Sequence, residues 1–322
     1  MSLVVWDDVR AARARIAPFA HRTPVLTSSS IDRMADTHVV FKCENLQRTG
    51  SFKFRGAVNA VASLAPDDRT RGVYAHSSGN HAQALALAAS LHGMPAYLVM
   101  PENSNPTKVA ATRGYGARVT PCPSTHAGRR DVAERIGAET GATFVHPSDD
   151  PRVIAGQGTA AAELLDEVGK LDLILAPVGG GGLLSGTLIA AAHLAPDARV
   201  IGCEPAGADD ASRSLREGRR ITDFTPKTIA DGLRTPLGEN TFAILREHVD
   251  RIVPVSEEEI VTAMRTVWER MKILIEPSSA VAVAPLLGRT IDAKGQRVGV
   301  ILSGGNVDVS AFFEVLSAEG AV

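Results

Sequence analysis

Short apolar runs and helical stretches take turns between Gly72 and Cys203, and this alternation restricts the fold of the 322-residue chain more than any other feature. Strands are expected over 73–76, 96–100, 118–121, 143–146, 172–178 and 199–203, with helices over 80–92, 107–113, 128–139, 153–168 and 183–194 between them. A helix over 6–19, ending at Pro18, and a strand over 38–43 precede this block. Helices around 241–246, 257–271 and 278–287, a strand over 298–302 and a last helix after Asp308 follow it. Short apolar strands separated by helices belong to parallel sheets covered on both faces. There are too many strand–helix pairs for one comfortable sheet. The expectation is therefore an α/β protein with two open, mostly parallel sheets. A smaller domain over 72–149 is inserted into a larger one built from 1–71 and 150–322.

Glycine-containing turns fall where such sheets bind ligands. Gly179, Gly180, Gly181 and Gly182 follow the strand ending at Val178 and open the helix from Leu183. Residues without Cβ let backbone N–H groups converge, and a helix N-terminus adds positive potential, so this is a phosphate cradle. It lacks the Walker lysine, because Thr187 follows Gly186, and it misses the dinucleotide pattern, with Leu184 or Ser185 where a third glycine belongs. Ser77-Ser78-Gly79-Asn80-His81 and Ser303-Gly304-Gly305-Asn306 end two other expected strands in the same way. Three such turns at the C-terminal ends of parallel strands converge on one crevice. The hydroxyls and amide of the second turn suit a carboxylate or a ring oxygen.

The segment Ser51-Phe52-Lys53-Phe54-Arg55-Gly56-Ala57 supplies a nucleophile. Ser51 is a good N-cap residue, and Ala57, Val58, Ala60, Val61 and Leu64 have helical spacing, so Lys53 is expected in the first turn of a helix. A desolvated lysine loses its charge readily and can form an imine with a carbonyl.

Composition excludes other classes. A content of 44% AVILMFWYC with 22% charged residues is that of a soluble globular protein, and a net charge of -2 gives no electrostatic footing for nucleic acid or an anionic membrane. No apolar run is long enough for a bilayer span, and residues 1–15 are too charged for a signal peptide. Cys43, Cys122 and Cys203 form no CxxC pair or disulfide framework, which points to a reducing cytoplasm. The nine histidines show no zinc-type pairing.

Read together, SFKFRGA, SSGNHAQ, PVGGGGLLSG, GCEPAGADD, IADGL, IEPSSA and LSGGN resemble, in order from residue 51 to 306, the fold-type II pyridoxal-phosphate enzymes with a tryptophan synthase β-like fold. The branch is that of serine/threonine dehydratases, serine racemase and threo-3-hydroxyaspartate ammonia-lyases. The resemblance implies that Lys53 carries pyridoxal 5'-phosphate and acts as the Cα base, with Phe52 beside the ring and Asn80 on its 3-oxygen. Gly179 to Gly182 would take the 5′-phosphate, and Ser303 would face the pyridine nitrogen. Ser77, Asn80 and His81 would take the substrate carboxylate, and Ser78 would sit on the face opposite Lys53. Thr235 would be a further substrate contact, and Arg129 would line the closing small domain as partner for a second carboxylate. Glu204, Asp210 and the carbonyl of Ala208 match the family's divalent-cation site, whose oxygen ligands suit Mg²⁺, Mn²⁺ or Ca²⁺. On the residues alone Asp209 is an equally good ligand.

The expected activity is β-elimination of water and ammonia from a small L-β-hydroxy amino acid such as L-serine or L-threonine, in a cytoplasmic homodimer. The alternatives are a threo-3-hydroxyaspartate ammonia-lyase or a serine racemase; a β-replacing synthase fits less well. From a different class comes a non-catalytic amino-acid sensor, against which the intact Lys53 argues.

Overall fold

The computed structural model describes residues 4–310 and 313. Among the described residues ten strands form two sheets. Six of them, β1 (Val25–Thr27), β2 (His38–Cys43), β7 (Leu173–Pro177), β8 (Arg199–Pro205), β9 (Arg251–Val255) and β10 (Arg297–Leu302), lie in the order β1-β2-β10-β7-β8-β9. Only β1 runs antiparallel to its neighbour. The other four, β3 (Val73–His76), β4 (Ala96–Pro101), β5 (Arg118–Cys122) and β6 (Thr143–Phe144), are all parallel in the order β5-β4-β3-β6. Residues 73–144 thus make a sheet of their own between two segments that build the larger one. In β2, β8 and β10 every residue but the first is buried, and β7 is buried throughout, the uniform burial of strands covered on both faces.

Two hydrophobic clusters cover the larger sheet, one on Phe41, Leu175 and Val300 and the other on Ile174, Leu184 and Ile301. A third, on the four-stranded sheet, takes in Phe54, Ala57, Val58, Ala60 and Val61 from the helix Lys53–Ala62. Burying Phe54 completely contributes about 1.5–3 kcal/mol, so the lysine helix is fastened to the smaller sheet by its apolar face. It also packs on the helix Pro151–Val168 of the larger sheet and on the helix Trp6–Ile16. Lys53 therefore sits on the seam.

Several local readings change. Ser51 does not cap the helix: it is fully buried in extended backbone, bridged to Gly304, its hydroxyl has no partner, and Phe52 occupies the cap position. The loop is held by tertiary pairing instead of local capping. The expected helix over 278–287 is two short pieces, Pro277–Ala280 and Ala284–Leu287, because Pro285 has no N–H to continue a helical ladder. β9 contains Pro254, which an edge strand tolerates, and β1 is only three residues long; neither carries a clear sequence signal. The helices Ser29–Ala35, Pro66–Arg71 and Asp210–Glu217 likewise lie outside the expected elements. The last expected helix, after Asp308, lies almost wholly outside the described residues.

Candidate active site

The segment before Lys53 is stitched to the end of β10. Gly305 N donates to Gly50 O at 2.9 Å and Phe52 N to Ser303 O at 2.9 Å, which brings Ser303 alongside the lysine turn. Thr49 and Gly50 both have left-handed backbone, φ 57° and 71°, and this sharp turn re-aims the chain into the helix. Lys53 Nζ donates to the carbonyl of Pro147 at 2.8 Å and lies 5.1 Å from the centre of the Phe52 ring. Burial lowers its pKa to about 8, against an opposing pull from Glu276. The neutral, nucleophilic amine is then more accessible near neutral pH than in an ordinary lysine.

Across the cleft, β7 leads through Val178 into the four glycines, and the helix Gly182–Leu194 starts at the last of them. Gly181 needs its left-handed φ of 84°. A Cβ on Gly182 would lie 2.8 Å from Ser148 O, one on Gly179 2.8 Å from Leu233 Cα, and one on Gly180 would strike the Ser148 hydroxyl. Neighbours therefore press on the loop until only bare backbone fits. Thr241 Oγ1 occupies the Gly180 carbonyl at 3.0 Å, while the first N–H groups of the helix have no intrahelical acceptor. The result is a donor-rich cradle for an anion.

The turn after β3 supplies the third wall. Asn80 Nδ2 donates to both oxygens of Glu276, at 2.8 and 3.1 Å, and its Oδ1 accepts from Asn306 Nδ2 at 3.0 Å. Asn306 Nδ2 also reaches Thr49 O at 2.7 Å. Burial raises the Glu276 pKa to about 7, with Asp231 adding to the rise and Asn80 and Lys108 opposing it. Ser77 Oγ accepts from Gly79 N at 3.3 Å, and Ser78 is exposed. His81 Nε2 meets the Val145 carbonyl at 3.1 Å; burial first, then the Lys53 charge, lowers its pKa to about 3. It is a neutral donor to Val145, so it offers a carboxylate no positive charge, and its Nδ1 has no partner.

The remaining expected residues are less tightly gathered. Arg129 is half-buried, with Nη2 3.4 Å from Ser124 O; among the described residues its buried Nε has no partner and none of its hydrogen bonds reaches the Lys53 cluster. Thr235 is exposed. Glu204 and Asp210 are each 1% exposed, and Ala208 is 2% exposed between them. Glu204 accepts from Ala211 N at 3.1 Å and Ser212 N at 2.8 Å, whereas Asp210 Oδ2 has no partner. Burial raises both carboxyls, to about 9 and about 7; repulsion from Asp210 adds to the rise of Glu204, and repulsion from Asp209 to that of Asp210. Asp209, the alternative ligand, is instead ion-paired with Arg213 at 3.3 Å. Among the described residues no group of three or more His, Cys, Asp or Glu gathers around one point. Two buried carboxylates, one of them with an orphan oxygen, and a carbonyl still suit a hard cation completed by water.

Three participants escaped the sequence reading. Glu276 stands within IEPSSA and Asn306 within LSGGN, but nothing in either motif says that they lock Asn80. Ser148, 4% exposed with a partnerless hydroxyl against Gly180, joins the cleft only because residues 147 and 148 cross between Lys53 and the glycines.

The profile of the family described as "Pyridoxal-phosphate dependent enzyme" matches residues 16–304. The chain is 47% identical to L-threo-3-hydroxyaspartate ammonia-lyase of Saccharomyces cerevisiae over 99% of itself and 98% of that protein. It is 46% identical to β-hydroxyaspartate dehydratase of Paracoccus denitrificans, covering 96% of itself and 98% of that protein. Among solved structures, serine racemase from Dictyostelium discoideum superposes with a TM-score of 0.92 at 48% identity, covering 96% of this chain and 100% of that one.

Proposed function

The chain belongs to the pyridoxal-phosphate dependent enzymes, and we propose that within this family it removes water and then ammonia from a small L-β-hydroxy amino acid, 3-hydroxyaspartate ahead of serine and threonine. The observation that carries the reading is Lys53, a buried amine whose pKa is lowered to about 8 and which donates to Pro147 O, on the segment that also packs against a glycine cradle in which only backbone fits. Bound pyridoxal phosphate would supply the electron sink that acidifies the substrate Cα–H. The glycine loop Gly179–Gly182 would hold its phosphate with backbone N–H groups. Asn80, locked by Glu276 and Asn306, would donate to the ring oxygen, and Ser303 would face the ring nitrogen with a hydroxyl. Phe52 would pack on the ring. Lys53 would take the Cα proton and return it to the leaving hydroxyl as water departs. Ser77 and the N–H groups opening the helix Asn80–Leu91 would hold the substrate carboxylate, with neutral His81 behind them.

The two hydroxyaspartate-named relatives and the spare Nε of Arg129 support the substrate order, because a dicarboxylate needs a second cationic partner. Glu204, Asp210 and the Ala208 carbonyl would hold a Mg²⁺, Mn²⁺ or Ca²⁺ ion. The small domain is taken as 72–149, closing on the remainder, and the working unit as a cytoplasmic homodimer. Three free, buried cysteines agree with a reducing compartment, and no helix among the described residues is long and apolar enough to cross a membrane.

The direct test is turnover of L- and D-serine, L-threonine and the 3-hydroxyaspartates, with ammonia release and chirality followed together. A hydroxyaspartate isomer should give the highest kcat/KM, and silence on the whole panel would leave the sensor reading. A second reading, serine racemisation, rests on Ser78, which is exposed in the turn after β3 and able to exchange a proton with solvent. Ser78→Ala should then lose activity on D-serine and keep part of the L-specific elimination.

A further inference from the structure

Directly behind the lysine turn lies an ionic cluster that the chemistry above does not use. Arg55, two residues after Lys53, has no exposed surface. Its Nε and Nη2 donate to Glu44 at 2.7 and 2.8 Å, and its Nη1 and Nη2 to Glu163, both at 2.7 Å. Further bonds reach Thr159 Oγ1 at 3.2 Å and His21 O at 3.3 Å. Lys42 Nζ completes the set, donating to Glu163 at 2.7 Å and Thr23 O at 2.7 Å, and Thr23 Oγ1 donates to Glu44 at 2.5 Å. Two cations thus meet two carboxylates. Burial alone would lower the Arg55 pKa, but Glu44 and Glu163 hold it raised, and Arg55 and Lys42 hold the Glu163 carboxyl low despite burial.

The cluster joins the pieces whose relative placement the site needs. Glu44 follows the end of β2, Arg55 rides on the lysine helix, and Glu163 and Thr159 belong to the helix Pro151–Val168. That last helix begins four residues after Pro147, whose carbonyl parks the Lys53 amine. On the neighbouring face the two helices touch backbone to backbone: a Cβ on Gly156 would lie 2.6 Å from both Arg55 O and Gly56 Cα. Buried ion pairs seldom improve stability over an apolar core, so a saturated fork here is better explained by the geometry it fixes.

We propose that Arg55, with Glu44 and Glu163, is a positioning residue that clamps the lysine turn at a fixed distance from the Pro147–Ser148 segment, and so sets the approach of Lys53 to the cofactor. This rests on the pyridoxal-phosphate reading of the site.

Arg55→Lys keeps the charge but cannot fork to both carboxylates. Its cofactor affinity, followed by the visible absorbance of the lysine-bound form, and its kcat should both fall roughly tenfold to a hundredfold, with KM for the amino acid within about twofold. Amide exchange over residues 53–57 of the cofactor-free protein should quicken. Leu286→Ala, a cavity in the cluster that takes in no residue of the lysine helix, serves as a destabilised control that should keep cofactor affinity and kcat. If Arg55→Lys does not fold, Glu163→Gln and Thr159→Val carry the same measurements with smaller expected effects. Unchanged exchange, affinity and kcat in these variants, or losses equal to those of Leu286→Ala, would overturn the clamp. A wild-type protein that binds no pyridoxal phosphate would instead overturn the function reading, while amide exchange would still report on the clamp.

Discussion

The two sides of the lysine helix treat buried charge in opposite ways. Behind it, the Arg55 guanidinium is matched by Glu44 and Glu163, with Thr159 and a carbonyl taking further bonds. In front, among the described residues, Lys53 has one carbonyl for its amine, and the hydroxyls of Thr49, Ser51 and Ser148 and the Nδ1 of His81 are buried without partners. The acidic pair Glu204 and Asp210 resembles the front: among the described residues no ion pair reaches either carboxylate. A charge that serves only the fold is saturated, because an unpaired buried group costs about 1–3 kcal/mol or more. Groups left short of partners are those that a ligand can satisfy.

The largest effect should come from removing the under-partnered cation itself. Lys53→Ala should lower turnover by about a thousandfold or more, since a general base alone contributes roughly 10²–10⁴. Borohydride reduction of wild-type enzyme followed by peptide mapping should place the cofactor on Lys53, and its appearance on another lysine would break the contrast. The same amine gives a pH dependence with a definite sign. Its pKa near 8 lies below the ordinary lysine value, so cofactor capture by the free protein should slow as pH falls below about 8 and protonation blocks attack.

Next in size is Arg129→Ala. A charge-assisted pair is worth roughly 1.5–3 kcal/mol, so the preference for 3-hydroxyaspartate over L-threonine in kcat/KM should shrink about tenfold to a hundredfold. Unchanged relative values would return this arginine to its Ser124 contact.

Chelation tests whether the acidic pair belongs with the front of the helix. A cation at a hundredfold excess over its Kd stabilises the folded state by about 2.7 kcal/mol, so chelator should lower Tm and activity, and Mg²⁺ or Mn²⁺ should restore both. The variant Glu204→Gln/Asp210→Asn should show no response to either. If wild type ignores chelator, the pair is a structural feature after all.

The smallest effect concerns Lys108 and Asp231, an ion pair of 2.7 Å that joins the helix Pro106–Gly114 to the segment after Ala230. It is partly exposed, so Lys108→Met should cost only about 0.2–1 kcal/mol and appear as a modest rise in KM. A change in kcat of tenfold or more would mean that this contact is as highly committed as the Arg55 cluster.

Much was legible in the sequence because it is local. Strand and helix periods, the glycine run after β7 and the phenylalanine-flanked Lys53 each follow from neighbours within a few residues, and burial on both faces made the parallel strands plain. β1 and β9 were missed because three residues, or a strand containing Pro254, carry too little periodic signal. Tertiary structure alone decided the rest. It tied Asn80 to Glu276, 196 residues away, put Ser148 against the glycines, and turned Ser51 from a cap into a bridge. It also gave His81 to Val145 and Arg55 to Glu163, 108 residues away. Such pairings depend on which groups the packed core strips of water and which partner then lies within hydrogen-bond reach. Residue type and local spacing set what each side chain can offer; only the closed fold determines which side chains receive a partner and which are left waiting for a ligand.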